Sequence, residues 1–320
     1  MRYINSHKID GFDKPSVVML GNFDGMHMGH LALFEALANL ADQNNAETVV
    51  FSLWPHPLTY LGAQDFGLLL TSREKVRILD ELGANVFIEY PFDDALRNMP
   101  PERFVEDILV DGLHACAIVI GDDYAFGKNR EGNPDFLRKL GTKLGFDVHV
   151  VSPVTDNGER VSSRTIRKYI ATKDLARASD LMMRPYQLSG IVIYGRQLGR
   201  TLGFPTINIM PPPEKLLPPY GVYLTSTTIL DGTDSTSGQT YESVTNIGLR
   251  PTIAKSDESV IICESYLYAF NQDIYGKEVV INFYEGIRGE RKFKNVDALK
   301  RQVEIDIETG KMLWKKSRLQ

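Results

Sequence analysis

Apolar residues change their spacing once along this chain, near residue 185, and that change narrows the folds open to it. Before it, short apolar runs at 17–23, 48–53, 86–90, 117–121 and 148–151 alternate with amphipathic stretches at 31–42, 72–82, 101–111 and 134–144. Runs of that length, parted by helical segments, predict parallel strands covered on both faces. After it, helical periodicity nearly vanishes until the end. Strand-like runs at 186–194, 221–229, 241–247, 260–268 and 279–283 are punctuated by Pro211-Pro212-Pro213, Asp231-Gly232 and Ser237-Gly238, which predicts a sandwich or closed barrel. The polar stretch 231–240 reads as an exposed hairpin turn or small insertion. A last helix is expected at 295–307, with Val296, Leu299, Val303 and Ile307 on one face. The expected organisation is an α/β, Rossmann-like domain with a parallel sheet over 1–184, then an all-β barrel domain with a C-terminal helix over 185–320. A chain of 320 residues, 43% of them hydrophobic, has material for two such cores.

Charge narrows the partners. A net charge of −5 argues against a nucleic-acid or membrane-surface partner, although small anionic ligands respond to the local field. Cys116 and Cys263 lie far apart, each in an apolar run, and read as small buried hydrophobes in a reducing compartment. The first residues carry no apolar signal region, and no stretch approaches the length of a membrane span. The expectation is a soluble cytoplasmic protein, a monomer or weak homo-oligomer.

Gly21-Asn22-Phe23-Asp24-Gly25-Met26-His27-Met28-Gly29-His30 joins the apolar run 17–20 to a segment rich in helix formers. A strand therefore runs through a glycine turn into a helix start. Unpaired N–H groups and a positive dipole end suit that place to an anion, and the three glycines let backbone approach a ligand. His27 and His30, spaced i, i+3, can both donate to phosphate oxygens. A metal is the other use of such a pair, but it lacks a third ligand, and a plain strand–turn–helix with incidental histidines is the third reading. The segment is neither a Walker A loop nor the dinucleotide-binding GxGxxG pattern.

With His27-x-Gly29-His30 after Gly21-Asn22-Phe23-Asp24-Gly25, the first half resembles the HxGH nucleotidyltransferase superfamily, and within it the bacterial bifunctional riboflavin kinase/FAD synthetase family. The resemblance covers nearly the whole chain. It implies a nucleotide site formed by Gly21, Asn22, Phe23, Asp24, Gly25 and Gly29, with His27 and His30 catalytic. Val161-Ser162-Ser163-Arg164-Thr165-Ile166-Arg167 resembles the superfamily's Ser-Ser-Thr-x-Ile-Arg signature. It implies Ser162, Ser163 and Arg164 on ATP phosphates, with Arg167 as a catalytic cation. Arg164 stands where the pattern has Thr, and without the first motif the two serines read as a helix cap. Arg160 is a further candidate cation. His56 and Pro57, in Trp54-Pro55-His56-Pro57, are implied to border the flavin, a rigid loop with a surface histidine being the alternative. Asp123, Tyr124 and Phe126, in the loop after the fourth strand, are implied as flavin-lining groups, aromatic rings suiting a flat isoalloxazine. Both rings equally suit a core beside a turn.

The second half carries its own signature. Gly195-Arg196-Gln197-Leu198-Gly199-Arg200-Thr201-Leu202-Gly203-Phe204-Pro205-Thr206-Ile207-Asn208 resembles the glycine loop and Pro-Thr-x-Asn motif of riboflavin kinases. Gly195, Arg196, Gly199, Arg200 and Gly203 are implied to bind ATP, and Thr206 and Asn208 to hold Mg2+ through hard oxygens. Ile207 replaces the usual Ala and points away if Thr206 and Asn208 share a face. Asn246-Ile247-Gly248-Leu249-Arg250-Pro251-Thr252 matches the family's Arg-Pro-Thr segment, and counting onward puts Glu264 at the position of the general base. Glu264 is otherwise a solvent-facing strand residue. Tyr266 stands where the family has His. Arg250 and Arg288 are implied on the flavin side.

The implied chemistry is phosphorylation of riboflavin by ATP to FMN, then transfer of AMP from a second ATP to FMN, giving FAD. Mg2+ is the implied cofactor, and riboflavin, FMN, FAD and ATP the partners. Rival readings are a single-activity adenylyltransferase with a flavin-sensing barrel, a non-enzymatic flavin or nucleotide binder, and a nucleotidyltransferase acting on pantetheine or nicotinate phosphates. The last leaves the second half unexplained.

Overall fold

The computed structural model describes residues 1–64, 66–195, 199, 201, 203–230, 238–251 and 259–317. Among the expected site residues, Arg196 and Arg200 lie outside the described residues, as does the side chain of Arg250. Two compact units emerge, Met1–Ser163 and Arg164–Gln320.

The first unit holds a six-stranded parallel sheet in the order β1-β4-β3-β2-β5-β6. Its strands are β1 (Arg2–Ile4), β2 (Ser16–Leu20), β3 (Glu47–Trp54), β4 (Val86–Pro91), β5 (Ala115–Gly121) and β6 (Asp147–Val151). The central strands are mostly apolar because both faces of the sheet are covered. Val18, Leu20, Val49 and Phe51 enter one core, and Val17, Met19, Val50 and Phe87 the other. Helix α1 (Met28–Asn44) buries Leu33, Phe34, Leu37 and Ala41. It starts three residues before the expected position. The preceding strand stops at Leu20 rather than Phe23, because Phe23, Gly25 and Met26 take φ of 49°, 97° and 36° and a pleated strand cannot continue through positive φ.

Short α2 (Pro57–Tyr60) follows β3, and α3 (Ser72–Glu81) opens with a Thr71/Glu74 capping box. After α4 (Asp94–Arg97), the expected helix at 101–111 divides into α5 (Pro101–Arg103) and a wider π turn (Phe104–Val110). Helix α6 (Pro134–Leu144) has the bounds its sequence predicts. Strand β1 escaped notice because only three residues pair, beside β4. It is tied there by the Tyr3 hydroxyl, which donates to Glu89 at 2.8 Å, while the Lys75 ammonium sits 2.5 Å from the same buried carboxylate. Hairpin β7 (Thr155–Asp156) and β8 (Glu159–Arg160) ends the unit.

The second unit begins with α7 (Ser163–Ala171), whose first residue belongs to the first unit, and α8 (Leu175–Met182). The periodicity-based break at 184/185 falls after these helices. Leu175, Ala178, Leu181 and Met182 are buried, and α8 packs on two barrel strands, β9 (Tyr186–Ile193) and β14 (Glu278–Gly289). Between them come β10 (Ile207–Ile209), β11 (Gly221–Leu230), β12 (Gly238–Pro251) and β13 (Ser259–Leu267). All pair antiparallel in a closed barrel of order β10-β13-β12-β11-β14-β9, which leaves no sheet edge.

One face of the barrel strands carries a ladder of buried hydroxyls. Thr225 Oγ1 lies 2.8 Å from both Ser243 Oγ and Thr245 Oγ1, and Thr245 lies 2.7 Å from Ser265. Strand alternation therefore puts Glu264 and Tyr266 on the opposite face. That face meets helix α9 (Val296–Ser317), which runs ten residues past its expected end and packs on β11, β12 and β14. The Tyr268 hydroxyl donates to Ile307 O at 2.7 Å. A Cβ on Gly310 would meet Tyr268 Oη and Val244 Cγ2 at 2.5 Å each. Glycine inside a helix costs about 1 kcal/mol against alanine, so close docking explains its presence. Gly310→Ala is expected to recover that propensity and lose more to overpacking, typically 1–3 kcal/mol. A thermal melt should show the barrel transition lowered by a few degrees.

Candidate active sites

The barrel site starts from strand register. Asn208 on β10 and Asn246 on β12 each stand directly opposite Glu264 on β13, so two amides flank one carboxylate across neighbouring strands. Thr206, Asn246, Glu264, Tyr266 and Arg288 line a common cavity of about 190 Å³ between the barrel and α9. Ile207 pairs with Ser265 on the hydroxyl-bearing face, so the Ala-to-Ile departure does not touch the cavity that Glu264 lines. Asn208, 4% exposed, also walls a smaller cavity with Thr206 and Asp273. Next to Glu264, burial and then the Glu264 charge push the Cys263 thiol up to about 12. Cys263 therefore stays a protonated packing residue.

The glycine loop is shaped around the Pro-Thr-Ile-Asn segment. A Cβ on Gly195 would come within 2.6 Å of the Asn208 amide. One on Gly199 would lie 2.4 Å from Phe204 O and 3.2 Å from Thr206 Oγ1, and the Phe204 amide donates to Gly199 O at 2.7 Å. Gly203 takes a φ of 92°, which favours glycine. These absent side chains leave room for backbone beside two oxygen-bearing groups. Among the described residues no three His, Cys, Asp or Glu cluster as a metal cage. Two neutral oxygen donors fit Mg2+, which keeps waters and phosphate oxygens for its remaining positions.

In the first unit, the expected anion site is a sharply bent turn held from behind. Asp24 is 3% exposed, and its Oδ1 accepts from Leu69 N at 2.8 Å and Leu70 N at 3.1 Å. Its carboxylate thus anchors the turn rather than adding negative charge to a phosphate site. The Ser163 hydroxyl donates to Asp24 O at 2.5 Å, which joins the two segments that the sequence matched separately. His27 is the N-cap of α1 and makes no side-chain cap bond. Its ring stacks on His30 with centroids 3.7 Å apart at 17°. Phe23, 1% exposed, meets His30 edge-on at 5.5 Å, so its ring supports the pair from the core. A Cβ on Gly29 would crowd the His27 ring at 3.2 Å, and one on Gly21 would meet the Phe23 ring at 2.8 Å. Asn22 O accepts from Ser52 at 3.3 Å.

The other expected residues have visible partners. His56 caps α2, its Nδ1 accepting from Leu58 N at 3.1 Å, and it faces Phe66 at 4.6 Å. Pro57 is the first residue of that helix. Phe126 is 8% exposed and packs against Phe104 and Phe136, while Tyr124 stacks on it at 5.8 Å. Burial pushes the Tyr124 phenol above its ordinary value. Arg160, read as a candidate phosphate cation, lies 2.9 Å from both Asp122 and Asp123. Its charge is matched by carboxylates, and Asp123 is tied to the hairpin. Ser162 precedes α7, which carries Arg164 and Arg167. Sequence reasoning assigned no role to Asn246, Asp306 or Gln302. Asn246 had a signal, since it opens the segment that located Glu264. The other two look like ordinary polar residues of an amphipathic helix.

Comparison with known proteins covers both halves. A family model described as FAD synthetase matches residues 10–165, and one described as riboflavin kinase matches residues 182–314. The bifunctional riboflavin kinase/FMN adenylyltransferase of Haemophilus influenzae is 36% identical over 296 residues, 92% of this chain and 93% of that protein. Its counterpart from Escherichia coli K12 is 34% identical over 291 residues, 91% of this chain and 90% of that protein. A crystal structure described as a macrolide-efflux protein from Streptococcus pneumoniae superposes with a TM-score of 0.83 at 28% identity, covering 97% of this chain and 99% of that one. No helix among the described residues is long and apolar enough to cross a membrane.

Proposed function

We propose the following division of labour for this chain, which belongs to the bifunctional riboflavin kinase/FMN adenylyltransferase family: residues 1–184 carry the adenylyltransferase and residues 185–320 the kinase. The chain phosphorylates riboflavin with ATP to FMN and adenylylates FMN to FAD. The observation that carries the kinase assignment is Glu264 directly opposite Asn208, in one cavity with Thr206.

The kinase nucleophile is the ribityl 5′-hydroxyl, an alcohol that is protonated near neutral pH. Glu264 takes its proton as the oxygen–phosphorus bond forms, and ADP leaves. Asn208 and Asn246 keep the carboxylate in place, and the backbone at Gly195, Gly199 and Gly203, with Arg196 and Arg200, cradles the ATP phosphates. Thr206 and Asn208 would hold Mg2+, which would offset the charge on the transferring phosphate. Arg288, which lines the cavity, and Arg250, on the strength of its sequence segment, are assigned to the flavin side.

The adenylyl acceptor is different. An FMN phosphate oxygen is already ionised, so no base is needed to attack the α-phosphorus of ATP as pyrophosphate departs. The demand is to hold two anions together and to stabilise the leaving charge. Backbone N–H groups of the 21–29 turn, the hydroxyls of Ser162 and Ser163, and the rings of His27 and His30 are suited to that. Arg164 and Arg167 are assigned to the phosphates on the strength of their sequence segment. His56, Pro57, Asp123, Tyr124 and Phe126 are assigned to the flavin side. The reading fits a cytoplasmic ATP-using enzyme, a monomer or weak homo-oligomer, with two unbridged cysteines.

The test is one incubation followed by chromatography. Purified protein with riboflavin, ATP and Mg2+ is expected to give FMN and then FAD. FAD formed from added FMN, with no FMN formed from riboflavin, would instead support an adenylyltransferase carrying a flavin-sensing barrel.

A further inference from the structure

Helix α9 contributes a buried carboxylate to the wall of the barrel cavity. Asp306 is 4% exposed. Arg288 Nε donates to both its oxygens at 3.0 Å, and Arg288 Nη2 reaches Oδ2 at 2.8 Å. Gln302, one turn earlier and 8% exposed, donates to Asp306 Oδ1 at 2.8 Å and accepts from Arg291. Arg288 and Arg291 also lie over the Phe293 ring, at 5.7 and 5.0 Å. Arg288, Arg291, Phe293 and Asp306 line the same cavity as Glu264.

A guanidinium has five N–H donors in a fixed plane. Three nitrogens of Arg288 are engaged here, the third by Nη1 donating to Gly289 O at 2.9 Å. That leaves one N–H on each terminal nitrogen without a partner among the described residues. A long arginine side chain has several rotamers, and a two-point grip by a carboxylate fixes its plane. The carboxylate also balances the charge, so Arg288 can offer donors to a neutral ligand without an uncompensated cation beside the base Glu264.

We propose that Asp306, itself held by Gln302, is a positioning residue for riboflavin. It sets the plane of Arg288 at the cavity wall, so that the remaining donors meet hydrogen-bond acceptors on the neutral flavin. The proposal rests on the kinase reading above. Asp306 acts through Arg288, so its loss should weaken riboflavin binding rather than phosphate transfer.

The test uses the full-length protein and two variants. Asp306→Asn is expected to raise the riboflavin KM at least tenfold. The riboflavin Kd, from quenching of flavin fluorescence, should rise in parallel. The kinase kcat, the ATP KM and the adenylylation of added FMN should stay within about twofold. Asp306→Glu should recover part of the loss. Gln302→Met leaves the Arg288–Asp306 fork intact and should raise the same KM about threefold, and it carries the test if Asp306→Asn does not fold. Riboflavin KM and Kd unchanged in the folded variants would overturn the proposal, as would a fall in kcat with KM unchanged. Absence of riboflavin phosphorylation by the unsubstituted protein would instead overturn the kinase reading itself.

Discussion

Glu264→Gln is expected to lower ATP-dependent FMN formation from riboflavin by at least ~100-fold, the lower range for loss of a positioned general base, while conversion of added FMN to FAD continues at its original rate. The substitution preserves shape and hydrogen-bonding reach, and Asn208 and Asn246 still face the side chain across the strands. The proton acceptor is what goes. An amide cannot take the proton of the ribityl hydroxyl, whereas the barrel loses no packed atoms. The first compact unit ends at Ser163 and contains none of these strands, so the second reaction reports on that unit, and an unchanged thermal melt controls for folding of the barrel. Equal loss of both activities would argue against a base confined to the barrel. Retention of full kinase activity would remove Glu264 from the chemistry altogether.

The contrast between the two acceptors gives a reason for a general base at the proposed kinase site and for none at the proposed adenylyl-transfer site. An alcohol near neutral pH must give up a proton while it attacks, and a nearby base lowers that cost. A phosphate monoester oxygen carries its charge already, and a carboxylate beside it would repel it. Asp24 obeys this logic: the acid in the turn is turned inward and held by two backbone amides. The same two amides explain why an acid is tolerated there. They compensate the buried charge and fix the bend that brings His27 and His30 to the start of α1.

The layered first unit and the barrel were legible because burial writes itself into periodicity. β2, β3 and β4 are dominated by apolar residues since both faces of the sheet are covered, and β11 to β14 are bounded by turn residues. Elements that depend on few contacts were not legible. Strand β1 and strand β10 are three residues each, too short to show alternation. Helices α7 and α8 carry their apolar residues among many polar ones and follow a motif read chiefly for its hydroxyls. Glu264 is reached by counting onward from a segment that resembles the family's Arg-Pro-Thr motif. That Asn208 and Asn246 stand opposite it was not legible, because cross-strand register cannot be counted along one strand. Asp306 and Gln302 remained hidden for a related reason: a polar residue facing a cavity from a helix looks like one facing water until its partner on another element is seen.

His30→Ala is expected to cut FAD formation from added FMN by at least ~10-fold, about 1.4 kcal/mol of barrier, with FMN formation from riboflavin unchanged. The stack makes a second outcome testable. His27 and His30 lie face to face at 3.7 Å, between the Phe23 edge on one side and the close approach to Gly29 on the other. Each ring therefore helps to fix the other, and removing one takes away a face on which its neighbour packs. Side chains that act as a unit give non-additive losses. The His27→Ala/His30→Ala double variant should accordingly lose less than the product of the two single losses, and single-turnover measurements of FAD formation would show it. Strict multiplication of the two effects would mean that the rings act independently, and a His30→Ala enzyme with unaltered FAD synthesis would take the pair out of the adenylyl-transfer step. The stacking would then be packing at a helix start and nothing more.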